Sequence, residues 1–194
     1  MLEVCNLVKE FGGLRAVDGV SFTLAAHTIT GLIGPNGAGK TTLFDTIAGM
    51  HRPTSGTIVF LGRRIGGLPP HRIFAAGLVR TFQIPRPFAG MTVLENLMLV
   101  PPGQSGERFW NNWFARRQVR AEERRLRERA LEGLAFVGLE RLAGEFAKNL
   151  SGGQHKLLEL ARALMAEPRL ILLDEPGAGV NPTLLRTIMD KLQE

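Results

Sequence analysis

Gly34-Pro35-Asn36-Gly37-Ala38-Gly39-Lys40-Thr41 fills every fixed position of the pattern GxxxxGK[ST]. Glycines let a loop bring its backbone N–H groups close around an anion, in dihedrals that a side chain would disfavour. Upstream, the short apolar run Thr28–Ile33 reads as a strand. Downstream, Leu43, Phe44, Ile47 and Ala48 share one face of a helix. A helix that starts where such a loop ends turns its positive end on the anion. Lys40 then adds a point charge for the β- and γ-phosphates of a nucleotide, and the Thr41 hydroxyl can ligate Mg²⁺. A glycine-rich turn with an incidental lysine explains neither the strand before nor the helix after.

A second feature supports the first. Leu170 to Leu173 is an uninterrupted apolar run, bounded by Pro168 and by Asp174-Glu175, and suits a parallel strand covered on both faces. Neighbouring side chains at a strand end point in opposite directions, so adjacent acids can serve separate roles. Asp174 is placed to face Mg²⁺ through water, and Glu175 to polarise an attacking water as general base. Alone, such a pair is as well read as a solvated strand end; with the phosphate loop upstream, that reading weakens.

The chain's 194 residues, 44% hydrophobic and 22% charged, fit one domain with room for a small inserted one. No stretch approaches the roughly 20 apolar residues needed to cross a bilayer. Met1-Leu2-Glu3-Val4-Cys5 lacks the basic-then-apolar layout of a signal peptide, and a cytosolic chain reaching a membrane through a partner is expected. Cys5, the single cysteine, cannot form an internal disulfide and is expected as a small buried apolar side chain.

Strands alternating with helices predict an α/β fold. Leu2–Cys5, Val17–Leu24 and Thr57–Phe60 read as strands, with Gly12-Gly13 as a break between the first two. Prolines and Gly103 surround Thr92–Val100, which looks helical. Val119, Leu126, Ala130, Leu134 and Val137 then recur at helical spacing. We divide the chain into 1–84, a nucleotide-binding core with the phosphate loop; 85–149, a helical insertion; and 150–194, a resumed core. The net charge is +6, and eight arginines between Arg108 and Arg129 outnumber Glu107, Glu122, Glu123 and Glu128 nearby. The plainer reading is a solvated helix face with Trp110 and Trp113 packed on a neighbour; anionic headgroups near a membrane partner are the other.

Leu150-Ser151-Gly152-Gly153-Gln154, set between the phosphate loop and Leu170–Pro176, resembles the signature of ABC ATPases over the whole chain. The resemblance implies a P-loop NTPase core with an amino-terminal antiparallel β part and an inserted α-helical subdomain. It implies ATP and Mg²⁺ as ligands, bound by Gly34 to Thr41 and by Thr42. Phe11, 29 residues before Lys40, would stack on adenine beside Val17. Gln83 would reach Mg²⁺ and water, with Lys40 and Glu175 completing the catalytic set and Thr41 and Asp174 the metal's. Ser151, Gly152, Gly153 and Gln154 would address the γ-phosphate held by an opposite protomer, so that ATP joins two subunits. Asn181 stands where the family usually has an Asp before Pro182.

Phe11–Val17, Val79–Gln83 and Met91–Leu97 resemble the ATPase subunit of branched-chain amino acid importers, with urea and amide importers as close relatives. The implied partners are a second ATPase subunit, identical or paralogous, two transmembrane permeases and, indirectly, an extracytoplasmic solute-binding protein, with no nucleic acid. The place implied is the cytoplasmic side of the membrane. A soluble ABC ATPase of DNA repair or translation is the alternative; it calls for long coiled-coil insertions or tandem cassettes, and no sustained heptads occur here. A nonhydrolysing regulator is disfavoured by Lys40, Asp174 and Glu175. The family also uses a histidine roughly 30 residues past the acidic strand to contact the γ-phosphate. Only 19 residues follow Glu175, none of them His, so a piece of a longer protein with poor turnover of its own is expected.

Overall fold

Gly12 and Gly13 adopt φ of 52° and 92°, the consecutive positive values required at the centre of a two-residue hairpin turn. That turn joins β1 (Leu2–Phe11) to β2 (Leu14–Leu24), antiparallel from Phe11 opposite Leu14 to Leu2 opposite Leu24. The computed structural model describes residues 1–81, 87–107 and 116–175. It forms two units, residues 1–80 and 81–194.

In the first unit, β3 (Ser55–Phe60) lies antiparallel on the other side of β1, and the short β4 (Arg63–Arg64) follows it. The sheet runs β2-β1-β3-β4. Leu2, Val4 and Leu7 of β1 and Ile58 and Phe60 of β3 are buried, each contributing roughly 1.5–3 kcal/mol over an exposed position. Alternation along β1 turns Glu3 and Cys5 the other way. Cys5 is therefore exposed, not buried as its residue type suggested.

Helix α1 (Lys40–Ile47) buries Leu43 and Ile47 on the predicted face. The strand expected at 28–33 is not formed. Ile29 and Leu32 are exposed and Ile33 is 94% exposed. A strand needs a ladder partner, and none pairs with this segment among the described residues. Helix α2 (Pro70–Ala75) and strand β5 (Leu78–Arg80) complete the unit.

The second unit is built on α3 (Val93–Met98), α4 (Arg116–Phe136) and α5 (Gly152–Met165). Each contributes an apolar stripe to one core: Val93 and Leu97, then Ala130 and Leu134, then Leu157, Leu158 and Ala161. The helical spacing read from Val119 to Val137 is thus a buried face. Asn96, fully buried in α3, ties the chain before this helix to it. It accepts from the Phe88 N–H at 2.8 Å and donates to the carbonyls of Phe88 at 3.1 Å and Thr92 at 2.9 Å. Strand β6 covers Leu170–Leu172, one residue shorter than expected. Only Leu172 is buried in it, so the full cover foreseen for this run is a correction as well.

A reciprocal cap starts α3. Glu95 N–H donates to Thr92 Oγ1 at 3.2 Å, while the Glu95 carboxylate accepts from Thr92 N–H at 2.8 Å and from its hydroxyl at 2.9 Å. Those bonds favour the charged form and hold the Glu95 carboxyl below the ordinary range, the backbone N–H being the larger cause. A group with a depressed folded pKa stabilises above its unfolded pKa and loses that contribution as pH falls through the folded value. Glu95→Gln should therefore flatten part of the acid limb of a melting-temperature profile. An unchanged limb would show that the cap contributes nothing to it.

Candidate phosphate-binding site

The loop from Gly34 to Gly39 is a set of turns that ends in α1. Gly37 and Gly39 have φ of 81° and 82°, and Gly39 is the residue that caps the helix. Ala38 N–H donates to Pro35 O at 3.3 Å, and Leu43 N–H to Gly39 O at 2.8 Å, starting the helical ladder. The leading N–H groups of such a helix have no intrahelical acceptor and follow directly on the loop. Pro35, Asn36, Gly37, Ala38 and Thr41 are exposed, while Gly34, Gly39, Lys40 and Thr42 are half-buried. The Lys40 ammonium donates to Gly34 O and Pro35 O, each at 2.8 Å. It is thereby fixed across the loop it belongs to. The result is an ammonium held beside the leading N–H groups of α1, an arrangement suited to a polyphosphate.

What sets the loop's position is β2. A Cβ on Gly39 would stand 2.0 Å from the Ala16 carbonyl oxygen and 3.8 Å from the Val17 side chain. Val17 itself is buried. The hairpin that carries Ala16 and Val17 also carries Phe11, whose ring is 42% exposed. That ring meets His51 edge-on with centroids 5.1 Å apart and has Lys9 Nζ 4.5 Å from its centroid. An exposed aromatic ring of this kind offers a surface on which a flat base can stack.

The second unit holds the other candidates. Ser151 caps α5: its hydroxyl accepts from Gln154 N–H at 3.3 Å, and the Gln154 side chain accepts from Ser151 N–H at 2.8 Å. Ser151 and Gly152 are exposed; Gly153 and Gln154 are half-buried. Asp174 is 5% exposed, whereas Glu175 is exposed with φ of 48°. The two acids therefore do face different surroundings. Gln83, Asn181 and the two tryptophans lie outside the described residues.

One interaction escaped the sequence reading. Arg80, whose side chain is 8% exposed, pairs with Asp45 of α1. Asp45 is on the helix that begins at the phosphate loop, and Arg80 is at the end of β5. The available signal was a charged residue embedded in the run Leu78-Val79-Arg80-Thr81, since buried charge demands a partner.

A glycine-built loop, a lysine laid across it and a helix opening from it define a nucleotide-binding cassette. The family model described as ABC transporter matches residues 17–178. The chain is 45% identical over 194 residues to the probable branched-chain amino acid transport ATP-binding protein LivG of Archaeoglobus fulgidus, covering all of this chain and 74% of that one. It is 43% identical over 182 residues to the high-affinity branched-chain amino acid transport ATP-binding protein BraF of Pseudomonas aeruginosa, covering 94% and 71% respectively. Among solved structures, the ADP conformation of an ATP-binding cassette of an ABC transporter superposes with a TM-score of 0.81 at 40% identity, over 99% of this chain and 75% of that one. The chain belongs to the ABC transporter family.

Proposed function

We propose that this chain is the ATP-binding and hydrolysing subunit of an importer for branched-chain amino acids. The observation that carries the reading is the phosphate loop, with Lys40 tethered across it at 2.8 Å from two of its carbonyls. The names of the two relatives support the solute; urea or amides are the competing solutes.

In this reading Phe11 stacks on adenine beside Val17, and Gly34 through Thr42 cradle the phosphates. Lys40 exchanges its carbonyl partners for phosphate oxygens. Thr41, Asp174 and Gln83 are the residues that would hold Mg²⁺, which neutralises charge on the phosphates when bound. Among the described residues no cluster of three or more carboxylate, imidazole or thiol side chains is set up for a metal. Mg²⁺ in such sites takes one or two protein ligands and completes its shell with phosphates and water, so the hydroxyl of Thr41 and the carboxylate of Asp174 are each of a donor type that suits it. Glu175 activates the attacking water.

Ser151, Gly152, Gly153 and Gln154 present the start of α5, a 14-residue helix, to the nucleotide of a second ATPase subunit. Exposure of Ser151 and Gly152 supports that role. Two permeases and an extracytoplasmic solute-binding protein complete the proposed assembly, with this chain peripheral on the cytoplasmic face. No described helix is long and apolar enough to cross a membrane. The three-part division at residues 84 and 149 is proposed from the change in sequence character at those points.

Titration of a fluorescent ATP analogue into the purified chain with Mg²⁺ tests the site. Removing the ammonium in Lys40→Ala removes charge-assisted bonds worth about 1.5–3 kcal/mol, so affinity should fall roughly 10- to 100-fold. Equal affinities would discard the phosphate-loop assignment. Competing uptake of labelled leucine and urea by vesicles carrying the assembled transporter tests the solute, and preference for urea would reassign it.

A further inference from the structure

The outer face of α4 is at odds with its own helix. Its first turn holds no acid, although a helix amino terminus favours negative charge. Arg117 with Arg120, Arg120 with Arg124, and Arg124 with Arg127 stand three or four residues apart, where like charges repel by a few tenths of a kcal/mol per pair. Arg117, Arg120, Arg124 and Arg125 are exposed and, among the described residues, have no ion-pair partner. Further along the helix, Arg129 has one, Glu167 at 2.5 Å. Nearby acids offset the cluster only in part: Glu122 accepts from the Ser105 N–H at 3.0 Å, and Glu123 and Glu128, both exposed, are the acids set among the arginines. Together Arg117, Arg120, Ala121, Arg124, Arg125 and Glu128 line a shallow recess of about 440 Å³. The opposite face, with Val119, Leu126, Ala130 and Leu134, is buried, so the arginines cannot turn inward.

We propose that this arginine face of α4 docks on anionic phospholipid headgroups of a bilayer. From Arg117 to Arg125 the face runs about 12 Å along the helix axis. Its exposed charges follow one side of the helix, a form that a plane of phosphates meets at several guanidinium groups at once. Guanidinium is also the side chain whose planar fork matches phosphate oxygens. Clusters of four or more basic residues on an amphipathic helix bind such surfaces with about 1 kcal/mol per charge. The choice of a bilayer over a soluble polyanion rests on the reading of the chain as a transporter subunit; the positive face itself does not.

Co-sedimentation of the purified chain with vesicles tests the proposal. Binding is expected to vesicles of phosphatidylcholine mixed with phosphatidylglycerol, to weaken with added salt, and to be weak on phosphatidylcholine alone. The triple variant Arg117→Gln, Arg120→Gln, Arg124→Gln should lower partitioning on the order of 100-fold, while the matching triple Lys variant should keep most of it. Both should bind the ATP analogue as the parent does, and Lys40→Ala should bind vesicles as the parent does. Equal binding to neutral vesicles, or no effect of the Gln substitutions, would overturn the proposal. So would polyglutamate bound as tightly as anionic vesicles through the same arginines, because the occupant would then be an acidic protein. A Gln variant that lost ATP binding as well would count against it too, since removing exposed like charges should leave the fold intact.

Discussion

Gly39→Ala is expected to weaken ATP binding by more than about 100-fold, the largest loss from any single methyl group added to the loop. Two costs combine at this position. A residue with a Cβ held at φ of 82° costs roughly 1–2 kcal/mol. The new methyl would in addition stand 2.0 Å from the carbonyl oxygen of Ala16 and 3.1 Å from its carbon. Those are backbone atoms of β2, which is held against β1 on either side of Ala16 by the pairs Glu10–Arg15 and Lys9–Val17, with a register shift between them, so the strand cannot easily yield. The loop must move instead, and Lys40 and the start of α1 move with it. Gly37→Ala provides the comparison. Gly37 has nearly the same φ, 81°, yet a Cβ there meets nothing within 4 Å. It should show the dihedral cost alone, roughly tenfold in affinity. Titrating both variants with a fluorescent ATP analogue measures the difference. Matching losses would mean that contact with Ala16 does not position the loop.

The parts of the fold legible in the sequence were those with strong local periodicity or punctuation. The stripe from Val119 to Val137 could be placed because each residue's neighbours on a helix are fixed by the 3.6-residue repeat. Gly12-Gly13 was legible because few other residues sit at two consecutive positive φ values. Thr28–Ile33 was not, because a strand depends on a partner elsewhere in the chain and apolar character alone does not supply one. Cys5 was misread for a related reason: residue type suggested burial, but the register that buries Leu2 and Val4 decides its side. Ser151-Gly152-Gly153-Gln154 carried two messages at once. Its Ser and Gln close a reciprocal cap within the helix they start, a local role that any helix could use. Only the company of the phosphate loop singled the segment out. The pair Arg80–Asp45, 35 residues apart, and the bonds of Asn96 to Phe88 join groups by tertiary geometry, for which sequence spacing has no signature.

Asn96 shows how much such geometry is worth, and Asn96→Asp should lower the melting temperature by about 10 °C near neutral pH. The substitution changes almost no volume. One oxygen can still accept from Phe88 N–H, but the amide nitrogen that donates to the carbonyls of Phe88 and Thr92 becomes an acceptor facing acceptors. Bulk solvent does not reach the side chain, since Asn96 is 0% exposed. Losing two buried bonds and burying a charge there costs roughly 3–5 kcal/mol, and a chain of this size loses about 2–4 °C per kcal/mol. The new carboxyl provides a check on the cause. Burial among carbonyls raises its folded pKa above the unfolded value near 3.9. The folded state then binds the proton more tightly, so the deficit shrinks as pH falls through the raised folded pKa and is smallest below the unfolded one. Protonation restores a donor, although Asn's second N–H stays lost. Asn96→Leu has no proton to gain and should show a deficit independent of pH relative to the parent, in which any acid weakening through Glu95 is shared. Melting curves of the three proteins from about pH 8 down to pH 4 settle the matter. A deficit in Asn96→Asp that stayed constant over that range would mean that strain rather than a missing donor destabilises the variant.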